Sequence, residues 1–330
     1  MAKKIIIIII GVSLLAAGVI FYFYRQQTVI EQVTISSING TSEGFLTDII
    51  KAYGIDKKNG LDIKVIKADS SEAMRLVKER KVDAGVYNPV TAAKDNLDGN
   101  RLRIFAPYRW NVTSIIVNDD SPFFKLEELR NKRLGFPGNK EGSAYINCQI
   151  TFPLKGLDLE TDFQTVFADK EKTLVTMLEK KETEAIVISE PLVSKLLAGE
   201  KFREISKIRF IWQEKYGLPL PCNSLAAYED WLVKNKKLAQ KLNKTFIEAA
   251  NFIVSEPKIF SEQKEALENL GLTGEKEIQT FRSNAPTIYI VRWGKDVITD
   301  IEFLLATAVQ FNLIPRLPDE KIIIDPFVDL

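Results

Sequence analysis

A chain of 330 residues with 45% hydrophobic and 27% charged side chains is long enough for two domains with full cores, and its composition is ordinary for a globular protein. Its 45 Lys plus Arg and 44 Asp plus Glu leave a net charge of +1, which removes the electrostatic case for a nucleic-acid partner. It contains no histidine and only two cysteines, which excludes Ser-His and Cys-His nucleophile pairs, His-containing metal sites and zinc or iron–sulfur clusters.

In chain order, Lys3 and Lys4 precede an uncharged run from Ile5 to Tyr24, and Arg25 follows it. A helix of that length spans about 30 Å, enough to cross the hydrocarbon core of a bilayer. The run is longer than the apolar region of a cleavable signal, and a cut near Ala16 or Gly18 would leave Val19 to Tyr24 exposed. Residues 1–30 are therefore expected to be an uncleaved N-terminal transmembrane helix and a tether, with the membrane contacted through residues 5–24. The leading lysines orient the folded part outward. A cleaved export signal is the alternative, and it also places the fold beyond the membrane.

Residues 32–38 alternate and are β-branched, which predicts a first strand. A loop through Asn39-Gly40-Thr41 leads to a helix over 45–53, and a turn at 57–60 leads to a second strand over 61–66. Asp69 or Ser70 can cap the next helix. Strands are predicted at 103–107, 114–117, 133–136 and 163–167, with a short helix at 126–130. Ser143 is a natural N-cap for the helix after Pro137-Gly138, and Asp169 for the helix after 163–167. From Asn223 onward the pattern is mostly helical: Leu238, Leu242, Phe246, Ala249 and Ile253 keep a helical period, and 297–311 is a further helix. Strands alternating with helices over the first two-thirds predict α/β lobes with mainly parallel sheets. Cys148 and Cys222 are expected to be two unpaired buried thiols, with one disulfide in an extracytoplasmic domain as the alternative.

One phrase occurs twice. Ala73-Met-Arg-Leu-Val-Lys-Glu-Arg-Lys-Val-Asp-Ala-Gly-Val-Tyr-Asn-Pro89 and Leu174-Val-Thr-Met-Leu-Glu-Lys-Lys-Glu-Thr-Glu-Ala-Ile-Val-Ile-Ser-Glu-Pro191 each predict an amphipathic helix, a charged turn, a buried strand and a proline opening the next helix. Each copy sets a helix N-terminus just past the end of a strand, where open α/β sheets bind ligands. Two copies imply two similar lobes and a cleft between them.

The same residues carry a family resemblance. Tyr53-Gly-Ile-Asp-Lys-Lys-Asn-Gly-Leu-Asp-Ile-Lys-Val65, Val82-Asp-Ala-Gly-Val-Tyr-Asn-Pro89, Leu126-Glu-Glu-Leu-Arg-Asn-Lys-Arg-Leu-Gly-Phe-Pro137, Glu190-Pro191 and Leu313-Ile-Pro…Ile324-Asp-Pro-Phe327 follow the order and spacing of a known group. The chain resembles the type II periplasmic binding proteins of the nitrate/sulfonate/taurine/thiamine-precursor group, the substrate-binding components of ABC importers. Coverage extends over nearly everything after residue 31. The resemblance implies a two-lobed α/β fold with a hinge of two crossover strands. Lobe one would hold 31–112 plus 223–330, and lobe two 113–222. It also implies capture of a small-molecule ligand, delivery to an ABC transporter permease, and no enzymatic activity, cofactor or metal. A sulfonate, nitrate or pyrimidine-type ligand is expected. An enzyme on the same fold and a ligand-sensing ectodomain are the alternatives. The lipid-attachment cysteine of many relatives is missing, since Leu15-Ala-Ala-Gly18 stands in its place.

Carried over position by position, the resemblance puts ligand contacts at Asn39, Gly40 and Thr41 after the first strand, and at Tyr87 and Asn88 before Pro89. It adds Trp110, Asn111 and Thr113 at the first crossover, Gly142 and Ser143 at a helix start, and Ser189 and Glu190 beside Pro191. A neutral amide or hydroxyl at a helix N-terminus suits an anionic or acceptor-rich ligand, and Tyr87 and Trp110 offer flat faces. Each also has an ordinary structural role as turn, cap or core residue.

Overall fold

The computed structural model describes residues 30–330, so the membrane anchor expected at 5–24 lies outside the described residues. Among the described residues no helix is long and apolar enough to cross a membrane.

Among the described residues ten strands form two five-stranded sheets. The first contains β1 (Glu31–Ile38), β2 (Leu61–Ala68), β3 (Ala84–Tyr87), β4 (Leu102–Trp110) and β10 (Pro221–Tyr228), in the order β2-β1-β3-β10-β4. The second contains β5 (Thr113–Asn118), β6 (Arg133–Pro137), β7 (Gln164–Ala168), β8 (Ala185–Ser189) and β9 (Phe202–Lys207), in the order β7-β6-β8-β5-β9. The helices that matter below are α1 (Ser42–Ala52), α2 (Ser70–Lys78), α3 (Pro89–Leu97), α4 (Ser143–Thr151), α5 (Glu171–Glu179), α6 (Leu192–Leu197), α7 (Ile208–Tyr216), α8 (Lys236–Ser255), α9 (Glu275–Ile288) and α10 (Lys295–Gln310).

The sheets are built alike. Each has three parallel strands followed by a fourth that runs antiparallel to both of its neighbours. That fourth strand is β10 in one sheet and β5 in the other, and each has just arrived from the opposite lobe. A strand entering from the far side runs against the strands it joins, so the sheets are mixed rather than mainly parallel as the sequence predicts. The repeated phrase supplies α2-β3 to one sheet and α5-β8 to the other, and β3 and β8 hold the same third position. Pro89 is the first residue of α3, whereas Pro191 stands one place before α6, as its cap.

Packing follows the period-2 alternation of the strands. Ile115 and Val117 of β5 enter one core with Ala185 and Val187 of β8, while Ile116, Ile186 and Ile188 face the other with Leu174 and Leu178 of α5. In the first sheet Val33 and Ile35 meet Phe45, Ile49 and the apolar stripe of α8 (Leu242, Phe246, Ala249, Ile253). Gly85 of β3 lies where α2 packs against that sheet. A Cβ there would come within 2.0 Å of Ser36 Oγ and 2.6 Å of Val77 Cγ2.

Two stretches differ from the sequence reading. The mostly helical pattern expected from Asn223 fails for its first residues, because β10 occupies Pro221–Tyr228 as an interior strand of the first sheet, between β3 and β4. Every residue of β10 is buried, so Cys-Asn-Ser-Leu-Ala-Ala carries no polar–apolar alternation to reveal it. The two caps also move. Gly142 rather than Ser143 caps α4, and Lys170 rather than Asp169 caps α5. At α2 the cap is Asp69, whose carboxylate accepts from Glu72 N at 2.9 Å. Cys148 and Cys222 are free and buried.

Candidate functional site

The chain passes between the two sheets twice, between Trp110 and Thr113 and between Tyr216 and Pro221. Around these crossings the strand ends and helix N-termini of both lobes meet, and a connected set of buried polar groups fills the junction. Ser143, the first residue of α4, donates its hydroxyl to Asn223 Oδ1 at 2.9 Å. Asn223, on β10, donates its amide to Glu43 Oε1 at 2.7 Å. Glu43 lies in the first turn of α1 with no exposed surface, and it also receives Arg109 Nε from β4. Ser42 donates to the second oxygen, Oε2, at 3.2 Å. One hydrogen-bonded line therefore runs from lobe two, through a crossover strand, to a buried ion pair in lobe one.

The electrostatics of that pair are set by burial against its partners. Burial pushes the Glu43 carboxyl up, but the Arg109 charge and hydrogen bond and the Asn223 amide together leave it below its ordinary 4.5. Arg109, equally enclosed, is held protonated above its ordinary value by the facing Glu43. The anion also sits at a helix N-terminus, where backbone N–H groups favour it.

A second group of contacts lies on the lobe-two side. Thr113 and Ser189 share a hydroxyl–hydroxyl bond of 3.0 Å, and Thr113 N donates to Asn111 Oδ1 at 3.0 Å. Ser189 N donates to Oε1 of Glu171, the first residue of α5, at 3.3 Å. Glu171 is half-buried. Burial pushes its carboxyl up to about 7, against the pull of the Ser189 N–H and Arg109 and with the push of Glu43 and Glu190. Glu190 bridges the lobes differently: its oxygens accept from Asn284 of α9 at 2.8 Å and from Ser194 N at 3.1 Å. Burial raises its pKa as well. A small cavity opens beside it, lined by Thr113, Glu190, Glu204, Lys207, Arg209 and Asn284 among others.

The twelve residues picked from the sequence separate into groups. Asn88, Asn111, Thr113, Ser143, Ser189 and Glu190 are gathered at the junction. Asn88 caps α3, accepting from Val90 N at 2.9 Å, and its amide donates to the Cys222 carbonyl at 3.1 Å across the second crossover. Trp110 is partly buried at the end of β4, where it pairs with Pro221, and Gly142 caps α4. Asn39, Gly40 and Thr41 form a turn and a cap: Asn39 is exposed, Gly40 has a left-handed φ of 68°, and Thr41 caps α1. Tyr87 turns into the lobe-one core and gives its hydroxyl to Asp95 on α3, so it offers no free face.

Ser42, Glu43, Arg109, Asn147, Glu171 and Asn223 were not picked. Arg109 and Glu43 are 66 residues apart, and no local pattern ties them together. A charged residue inside the aromatic run of β4 was the one available signal, since a buried arginine needs a partner. Among the described residues no cluster of carboxylates and thiols could hold a metal ion.

Comparisons with known proteins supply a family and a fold. Residues 52–280 match the family described as "ABC transporter, phosphonate, periplasmic substrate-binding protein". Comparison with curated protein sequences finds no match. Among solved structures, a protein of Bordetella bronchiseptica superposes with a TM-score of 0.71 at 19% identity, covering 90% of this chain and 93% of that one. The alkanesulfonate-binding protein SsuA of Xanthomonas axonopodis pv. citri, bound to MOPS, gives 0.68 at 14% identity over 86% and 94% of the two chains. The periplasmic aliphatic sulphonate binding protein SsuA of Escherichia coli gives 0.67 at 16% identity over 90% and 92%. At these identities the structural likeness is one of fold.

Proposed function

The chain belongs to the periplasmic substrate-binding proteins of phosphonate-type ABC transporters, the family matched over residues 52–280, and from that premise we propose that it captures one small solute between its lobes and presents it to an ABC permease. The lobes comprise 31–112 with 223–330, and 113–222. They turn about the crossings between Trp110 and Thr113 and between Tyr216 and Pro221, and solute stabilises the shut state by bonding to both lobes at once.

The observation that carries this proposal is the polar line Ser143–Asn223–Glu43–Arg109. Buried polar groups are costly unless paired, and a hinge that only opened and shut would be cheaper if apolar. Thr113, Ser189, Asn111 and the cap residue Asn88 extend the same polar surface. The MOPS-bound SsuA of Xanthomonas supports an organic solute of modest size. The uncharged run 5–24 tethers the domain to the outer face of the membrane, where the permease lies.

Thermal-shift screening of the full chain against small organic and inorganic solutes tests the proposal, because a specific ligand raises the melting temperature by mass action. Asn223→Ala and Ser143→Ala should each reduce the shift at fixed solute concentration. Chemical conversion of a hit, or shifts unaffected by both variants, would sink it.

A further inference from the structure

The far edge of lobe one, at the opposite ends of its strands from the cleft, collects exposed groups that solute capture does not use. β1, β2 and β3 are parallel, so all three start at this edge, and β10, which runs against β3, ends there. The edge therefore carries Ile30 beside the start of β1, the turns before β2 and β3, and the helix Glu229–Lys234 after β10. The C-terminal segment joins it on α8. Gln240 Nε2 donates to the Pro326 carbonyl at 3.0 Å, and the next residue, Lys241, pairs with Glu31 at 2.6 Å. Phe327 is 56% and Val328 77% exposed, and Ile30 and Val233 are exposed as well. Large apolar side chains exposed together at one edge mark an interaction surface.

The free charge of the edge is positive. Lys58 and Lys81, just before β2 and β3, and Lys234 and Lys237, after β10, are exposed and form no ion pair among the described residues. The carboxylates around them are mostly committed. Glu31, Glu229, Asp230 and Glu320 pair with cations of the chain. Asp83 accepts from Thr34 N and Trp231 Nε1, and Asp325 accepts from Phe327 N. Asp98 is the exposed exception. Exposed cations without partners therefore outnumber exposed carboxylates without partners.

Chain length decides which way this edge points. Only five residues, Arg25 to Val29, separate Ile30 from the uncharged run 5–24, and a connection of that length spans at most about 20 Å. A folded domain of this size is about 50 Å across, so the edge that carries Ile30 cannot turn away from the bilayer. We infer that this edge of lobe one is the surface on which the domain rests against anionic lipid headgroups. The four lysines meet the headgroup charge, and Phe327 and Val328 enter the interface. The inference rests on residues 5–24 acting as the membrane tether proposed above. Seated this way, the cleft at the opposite ends of the same strands faces the surrounding solution.

Fluorescence quenching of the full chain in vesicles tests this, with phosphatidylcholine alone or mixed with phosphatidylglycerol. A fluorophore is attached at Val328→Cys or, for comparison, at Lys181→Cys in the turn before β8 of lobe two; Cys148 and Cys222 are buried and escape labelling. Lipids with a quencher on the headgroup report which end lies near the bilayer. In the phosphatidylglycerol vesicles the Val328→Cys label should be quenched about threefold or more relative to the Lys181→Cys label, and the difference should shrink without anionic lipid or in high salt. Replacing Lys58, Lys81, Lys234 and Lys237 together by glutamine should remove most of it. In a chain that floats with its vesicles, equal quenching at the two positions, or quenching indifferent to lipid charge and to the lysine substitutions, overturns the inference and leaves the tether standing. Quenching that changes with protein density at fixed lipid composition assigns the edge to a second copy of the chain and also overturns it. A full chain that floats with neither kind of vesicle overturns the tether and the inference together.

Discussion

Replacing Arg109 by methionine leaves a side chain of similar reach but removes the charge that faces Glu43. Glu43 has no exposed surface and Arg109 is 5% exposed, so water cannot take over the lost contact. Removing one partner of a buried pair costs about 3–5 kcal/mol. The neutral donors Asn223 and Ser42 bond Glu43 in parent and variant alike and cannot replace the charge, so the loss should stay at about 3–5 kcal/mol. Urea denaturation followed by tryptophan fluorescence measures it, with Glu43→Gln and the double variant completing a cycle. The double variant should regain most of the loss, because no unpaired charge remains. The pH dependence has a definite sign. The folded Glu43 carboxyl lies below its ordinary 4.5, so its contribution is present above that value and drains away as pH falls through the folded one. Arg109→Met should therefore flatten the acid limb of stability. A single-variant loss under about 1 kcal/mol, or strict additivity in the cycle, would refute the buried-pair account.

Glu171 gives the opposite slope. Its carboxyl is raised from 4.5 to about 7, so it favours the folded chain below 4.5 and loses that favour as pH rises through 7. The full displacement is worth about 3 kcal/mol, and partial exposure reduces it. Glu171→Gln should thus be more stable than the parent chain at pH 8 by about 1–2 kcal/mol and indistinguishable at pH 4; equal stability at both pH values counts against it. Gly85→Ala should cost about 1–3 kcal/mol by overpacking against Ser36 and Val77, read by calorimetry; an unchanged melting temperature would contradict it. Tyr87→Phe should cost about 1 kcal/mol through its lost bond to Asp95 while leaving solute affinity unchanged. Weakened binding by that variant would return Tyr87 to the site.

The two-lobed plan was legible in the sequence because it is written in local patterns. The repeated helix–turn–strand phrase needs only a helical stripe, a charged turn and a buried run, and it landed at the same position in both sheets. What escaped was whatever depends on the chain returning from a distance. β10 carries no alternation because both of its faces are covered, and its place between β3 and β4 is fixed only once lobe two has been built. The polar junction divides along the same line. Asn88 is legible as a cap before a proline, and its second bond, to the Cys222 carbonyl, spans 134 residues. Ser143 was legible as a helix start, but its hydroxyl serves Asn223 rather than its own helix. Tyr87 looked like a binding face because aromatic residues at strand ends often are; the carboxylate of Asp95, eight residues on, takes its hydroxyl instead.

The most direct measurement is native mass spectrometry of the full chain, purified without denaturation and incubated with the solute that gives the largest thermal shift. A single solute should be retained with its mass unchanged, one per chain, and Asn223→Ala should release it, since that residue joins the two lobes. A chain that stays bare, a solute that returns chemically altered, or one held equally by the Asn223→Ala variant would contradict capture between the lobes.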